Sequence, residues 1–307
     1  MAKILITGAS GLLGSNLAAV AAGEHAVLGT VHRHPIRIPG VELLAADLSN
    51  PDQVHSLIDR QRPAWVVHCA GATEVDRCEL EPTWAWRLNL EMATNVAAAA
   101  HSVGARLAQI STDAVFDGEA GEYRETDEAR PISIYGQSKL EAERAVAESH
   151  PEALILRVNF YGWGAGPKRS LAEWFLERLE AGQSCPGFTD VYFSPLLAQH
   201  LASLILELLA AGASGLFHLP GRTCLSKYEF GVRLAQAFGL DPSLIRPASV
   251  DGAKLPASRA KRLCLVGDKV EESLGRPLPE LEAGLREFRE SRETWPVRRE
   301  AKAGAPA

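Results

Sequence analysis

The sequence predicts an α/β fold in which a parallel sheet is wound on both faces by helices, followed by a smaller and more broken second half. Three observations carry that expectation. Short β-rich runs alternate with helical patterns through residues 1–160, several of those runs are continuously apolar, and a glycine-rich turn joins the first run to the first helix. Strands covered on both faces read as unbroken apolar runs rather than alternating ones. Strand–helix–strand punctuation of this kind goes with doubly wound parallel sheets.

The first strand spans residues 3–7, and Thr7-Gly8-Ala9-Ser10-Gly11-Leu12-Leu13-Gly14 turns it into a helix over 12–22 that stops at Gly23. Glycines at this spacing permit a tight turn, let backbone amides approach a pyrophosphate and let helix pack on strand, while the helix N-terminus offers a positive dipole end. Placement between the first strand and the first helix gives the triplet its meaning. It predicts a Rossmann-type dinucleotide site around Gly8, Ser10, Gly11, Leu12, Leu13 and Gly14. The second strand, 26–31, runs into His32-Arg33-His34, with no acid where a carboxylate would bind a ribose 2′-hydroxyl. Arg33 could pair with a 2′-phosphate instead, which favours NADP(H) and leaves NAD(H) as second choice; a solvated loop arginine is the plainer alternative.

The third strand, 41–46, ends at Asp47 and Leu48, where Asp47 could accept from the adenine amine. Asn50 as N-cap and Pro51 in the first turn open a helix over 51–61. The fourth strand, 65–70, ends in Ala70-Gly71-Ala72, small residues where backbone passes close to cofactor. A helix over 84–103 stops at Gly104, and strands follow at 106–111 and 154–158. Beyond residue 160, Ser170 with Glu173 and Ser226 with Glu229 read as capping boxes. A long apolar helix is expected over 196–211 and a strand over 215–219. This organisation predicts an NADP(H)-binding domain over 1–160, with about 195–215 packing back onto it, and a mostly substrate-binding α/β domain over 161–307.

The chemistry is expected at the end of the fifth strand. Tyr135 and Lys139 are four apart and share one face of a helix. A nearby ammonium favours the phenolate, so Lys139 is expected to lower the Tyr135 pKa and let it trade a proton with a substrate oxygen near neutral pH. The Thr112 hydroxyl, at the carboxyl end of a parallel strand, could hold that same oxygen. With the glycine turn, these residues argue for carbonyl–alcohol redox chemistry by hydride transfer.

Four segments then carry a resemblance: residues 7–14, HCAGATEVDRCELE at 68–81, ISTDAVFDG at 110–118 and YGQSKLEAE at 135–143. Through them the chain resembles the extended short-chain dehydrogenase/reductases, and among these the dTDP-4-dehydrorhamnose reductase family. The resemblance implies Thr112, Tyr135 and Lys139 as catalytic residues, Tyr135 and Lys139 also touching the cofactor, and Asp113 on the substrate side. Asn159 and Arg222 are further candidates toward the substrate, and Asn89 matches a position that supports the site. Two stretches depart from the family pattern, 188–195 and 259–263, which weakens the assignment to the rhamnose precursor itself. A nucleotide-sugar pyrophosphate needs cations, for which Lys168, Arg169, Arg222 and Arg259 are available.

The expected activity is therefore NADP(H)-dependent reduction of a nucleotide-linked 4-keto-6-deoxysugar. A nucleotide-sugar epimerase or dehydratase, and a non-catalytic regulatory subunit that keeps the nucleotide fold, are the alternatives. Composition narrows the rest. Among 307 residues, 32 basic and 38 acidic side chains give a net charge of -6, not the basic footprint of a nucleic-acid binder. No apolar run approaches the ~18 residues of a membrane span, and the N-terminus lacks a signal-peptide layout, so a cytoplasmic protein is expected, with a homodimer as the assembly considered. Five scattered cysteines read as reduced thiols, and no cluster has metal-ligand spacing.

Overall fold

The structure, a computed structural model, describes residues 1–32, 36–166 and 168–299. Its centre is a seven-stranded parallel sheet. The strands are β1 (Lys3–Thr7), β2 (Ala26–Val31), β3 (Val41–Ala45), β4 (Trp65–His68), β5 (Arg106–Thr112), β6 (Leu154–Val158) and β7 (Gly215–Leu219). Their spatial order is β3-β2-β1-β4-β5-β6-β7. The chain starts in the middle, winds outward to β3, then returns past β1 and winds the other way. That reversal opens a crevice at the carboxyl ends of β1 and β4, where open parallel sheets bind ligands.

Two-residue alternation along the strands splits the core into two layers. Ile4 and Ile6 of β1 face α1 (Leu12–Ala21), together with Leu17. Leu5 faces the opposite side, with Val54 and Ile58 of α2 (Pro51–Gln61). The start of α2 is fixed as its sequence implies: the Asn50 side chain accepts from the backbone N–H groups of Asp52 and Gln53, and Pro51 occupies the first turn.

After β4 come α3 (Val75–Leu80) and α4 (Pro82–Trp86). The helix expected over 84–103 is not uniform. A π-helical turn over Arg87–Glu91 separates α4 from α5 (Met92–Ser102). Such turns insert an extra residue and re-aim the side chains they carry, often at functional sites. Here the turn carries Asn89, which is buried. Its side chain accepts from the Ala72 amide at 2.8 Å and donates to Ser138 Oγ at 2.9 Å, tying the end of β4 to α6 (Ile134–Ser149).

The second half builds its own core. Phe175 and Leu179 of α7 (Leu171–Glu180) meet Phe230 and Leu234 of α9 (Lys227–Phe238) and Leu285 and Phe288 of α11 (Leu281–Glu290), around Tyr161. Both capping boxes are present: Ser170 with Glu173, and Ser226 with Glu229. Between them lies α8 (Ala198–Ala211), whose Leu201, Leu204, Ile205 and Leu208 pack with α1 on the central sheet. A short helix, α10 (Asp268–Leu274), precedes α11. Among the described residues no helix is long and apolar enough to cross a membrane.

One expectation needs correction. Cys224 and Cys264 form a disulfide, while Cys69, Cys78 and Cys185 are free. Backbone hydrogen bonds lay residues 261–266 beside Tyr192 and Tyr123. That brings Cys264 within 5.6 Å, Cα to Cα, of a residue 40 positions earlier. Sequence spacing alone does not reveal such a pairing.

Candidate active site

A cavity of about 1310 Å³ opens at the carboxyl ends of the strands, between the sheet and the second half. This exceeds the roughly 300–1,000 Å³ of a single small-molecule site and leaves room for a dinucleotide with a second ligand beside it. It gathers Gly8, Ser10, Gly11, Leu12, Leu13 and Gly14 of the first turn, Asp47 and Leu48 after β3, and Ala70, Gly71 and Ala72 after β4. Thr112, Asp113, Tyr135, Lys139 and Asn159 line it as well.

The glycine turn has the features of a phosphate cradle. A Cβ on Gly14 would lie 2.2 Å from the Gly8 carbonyl oxygen, so only glycine lets α1 approach the turn this closely. The N-cap of α1 is Gly11, with no side chain to accept from the first-turn amides. Uncapped amides at the positive end of a helix suit a phosphate group. Thr7 Oγ1 accepts from the Cys69 and Ala70 amides at 3.1 and 3.3 Å, clamping the ends of β1 and β4 together. The Asp47 carboxylate is already held by the Ser49 hydroxyl and amide, at 2.7 and 3.0 Å, and these bonds keep it below the usual carboxylate range. Among the described residues, β2 ends in Val31 and His32 without an acid. Arg33 lies outside the described residues. Arg87, exposed on the π-turn, lines the same end of the cavity and adds a positive charge near Asp47. Its place depends on the extra helical residue, which no sequence signal marks.

At the end of β5, Thr112 is the last strand residue and is 6% exposed. Ser133 caps α6 by accepting from the Gly136 amide, which sets Tyr135 in the first turn beside Thr112. Lys139, one turn on, donates to the Ile110 carbonyl at 2.6 Å. The expected lowering of the Tyr135 pKa by Lys139 is not found in the protein alone. Burial pushes the phenol up to about 12, with the Thr112 hydroxyl pulling down and the Asp113 charge adding to the rise. Burial also pushes Lys139 down to about 8, against the attraction of Glu143. Desolvation disfavours both charged forms and outweighs their neighbours.

Directly after β5, Asp113 is 3% exposed and accepts from the Asn159 amide at 2.6 Å. Burial pushes its carboxyl up to about 6, opposed by Asn159, Thr112 and the charge of Lys227. Lys227, the first residue of α9, lines the cavity and was not singled out from the sequence. Burial pulls its pKa down while Asp113 opposes that pull. Among the described residues its ammonium makes no hydrogen bond or ion pair. The capping box foretold the helix start, but not which wall the lysine would face.

The other expected cations divide. Lys168, Arg169 and Arg259 line the cavity but are committed: Lys168 to the Thr73 carbonyl at 2.8 Å, Arg169 to Glu177, and Arg259 to Asp76 at 2.8 Å. Arg222 does not line it. Glu280 and Glu271 hold its guanidinium on the surface, so its assignment to the substrate is corrected. Both stretches that depart from the family pattern contribute wall residues, among them Val191, Tyr192, Phe193, Ala260 and Leu263.

Comparison with known proteins identifies the family to which this fold is similar. The family model described as RmlD substrate binding domain matches residues 2–293. The probable low-salt glycan biosynthesis reductase of Haloferax volcanii is 36% identical over 285 residues, covering 91% of this chain and 95% of that protein. Methionine adenosyltransferase 2 subunit beta of Pongo abelii is 32% identical over 290 residues, covering 88% and 81%. Among solved structures, dTDP-4-dehydrorhamnose reductase of Bacillus anthracis in complex with NADP superposes with a TM-score of 0.80 at 28% identity, covering 94% of this chain and 98% of that one.

Proposed function

This chain belongs to the RmlD substrate binding domain family, and from that premise we propose that it is an NADP(H)-dependent reductase of a nucleotide-linked 4-keto-6-deoxysugar. The observation that carries the reading is the convergence of Thr112, Tyr135 and Lys139 at the end of β5, in the cavity that the glycine turn after β1 also lines. Bound NADPH supplies the hydride. Thr112 orients the keto oxygen, and Tyr135 gives that oxygen its phenolic proton. Lys139 holds the nicotinamide ribose and offsets the phenolate charge that proton loss leaves behind. Asp113, steadied by Asn159, accepts from a sugar hydroxyl.

Preference for NADP(H) is supported by the acid-free end of β2 among the described residues and by the NADP-bound relative. The same relative's name puts dTDP-4-dehydrorhamnose first among candidate substrates, and the altered wall at Val191–Phe193 and Leu263 makes other 4-keto-6-deoxysugars the next. A reaction drawing on free NADPH and a nucleotide sugar belongs to the cytoplasm. The test is loss of NADPH absorbance against a panel of dTDP-, UDP- and GDP-linked keto-sugars. Turnover of one member supports the reading. Failure on all of them refutes it and favours a regulatory subunit, the reading suggested by the methionine adenosyltransferase relative.

A further inference from the structure

Behind the catalytic wall lies a buried polar layer that the proposed chemistry does not use. Ser111 of β5, Arg157 of β6 and His218 of β7 stand side by side in register across three strands. Glu143, from α6, reaches down onto this row, and all four residues are at most 6% exposed. Ser111 Oγ donates to the Glu143 carboxylate. Arg157 donates to the same carboxylate through Nε at 3.0 and 3.2 Å and through Nη2 at 2.7 Å. Its guanidinium rests on the Phe116 ring, 4.9 Å from the centroid. Lone buried carboxylates are costly; one held by a bidentate guanidinium and a hydroxyl is fixed in place.

The position of that carboxylate matters. Glu143 is one helical turn beyond Lys139, on the same face. The Lys139 ammonium bonds to the carbonyl of Ile110, the residue next to Ser111. The other titratable groups around Lys139 are either held neutral by burial or hydrogen-bonded elsewhere. From the end of β4, His68 is held neutral by burial at about 3 and Cys69 at about 12. Cys78 of α3 is likewise pushed up to about 11, and Tyr135 of α6 to about 12. Glu79 of α3 accepts from the Ile134 amide at the head of α6, a turn and more from Lys139. Asp113, after β5, is turned to Asn159. Of the charged groups near Lys139, Glu143 is the one that favours its ammonium most.

We infer that Glu143 is a positioning residue for Lys139: Ser111 and Arg157 fix its carboxylate beneath the site as the counter-charge of the Lys139 ammonium. This role rests on the reductase reading for the use made of Lys139, but not for its own test. NADPH binding, followed by fluorescence titration across pH, should weaken through a midpoint near the Lys139 value of about 8. Glu143→Gln keeps the shape and one acceptor while removing the charge. It should lower that midpoint by about one unit and weaken NADPH binding about fivefold near the original midpoint, approaching about tenfold well above it. Glu143→Asp, which keeps the charge, should restore most of the shift. Loss of thermal stability alone, with an unmoved midpoint, would make Glu143 a packing residue and overturn the inference. So would an unmodified protein whose NADPH affinity shows no such midpoint. If Glu143→Gln does not fold, Ser111→Ala carries the test: losing one clamp should weaken NADPH binding about threefold near the midpoint, and unchanged binding counts against it. A midpoint shift without turnover of any keto-sugar would support the Glu143 role while refuting the reductase reading.

Discussion

Asn159 donates from its side-chain amide to the Asp113 carboxylate at 2.6 Å, while the Thr112 hydroxyl donates to the other oxygen at 3.1 Å. Both bonds favour the ionised acid, yet burial wins and moves its midpoint up to about 6. Above that pH the carboxylate is charged and can accept from a sugar hydroxyl; below it the proton competes. The kcat/KM profile should therefore fall on its acid side through about 6. Asp113→Asn should flatten that limb and leave NADPH affinity unchanged. An identical acid limb in the variant would assign it to another group.

Lys227 is a cavity-lining cation whose ammonium makes no hydrogen bond or ion pair with another described side chain. Lys227→Met should raise KM for the nucleotide sugar by about ten- to a hundredfold, the worth of a charge-assisted hydrogen bond of ~1.5–3 kcal/mol. NADPH affinity should hold. Because Lys227 also favours ionised Asp113, the acid limb should move to higher pH. Steady-state kinetics at several pH values read both effects, and an unchanged KM contradicts the assignment.

Arg87 lines the cavity near Asp47, at the side where β2 supplies no acid among the described residues. Arg87→Ala should weaken NADPH binding by about one decade and leave NADH binding alone, since only the former carries a 2′-phosphate. Equal losses for both cofactors would point to a role in packing the π-turn instead.

The Cys224–Cys264 bond closes a loop with a separation of 40 residues. Alkylation of the unfolded, unreduced protein should label three of the five cysteines, and all five after reduction. Chain-entropy arguments give such a loop about 4 kcal/mol, so reduction should lower the denaturation midpoint measurably. Five labels without reductant would exclude the bond.

What was legible in the sequence follows from what each signal encodes. Strand limits such as Lys3–Thr7, Leu154–Val158 and Gly215–Leu219 were readable because an apolar run between breakers fixes both ends. The start of α2 was readable because Asn50 and Pro51 act locally. By contrast, α11 has no side-chain cap, and its apolar residues Leu281, Leu285 and Phe288 are set among charges. The π-turn changes helical phase without changing composition. Arg222 and Lys227 show the limit for charged side chains: charge is visible in the sequence, but direction comes from tertiary packing. The tyrosine–lysine pair itself was legible, while the dominance of burial over their mutual charge effect was not.

Tyr135 is the proton donor of the proposed reaction. The most direct test compares NADPH oxidation by the unmodified protein and by Tyr135→Phe on the keto-sugar it turns over best, with NADPH affinity measured alongside. The substitution removes one hydroxyl from a half-buried ring, so fold and cofactor binding should persist. Turnover should fall by roughly 10²–10⁴, the usual contribution of a positioned proton donor. A variant that reduces the sugar at the unmodified rate would contradict the proposed chemistry.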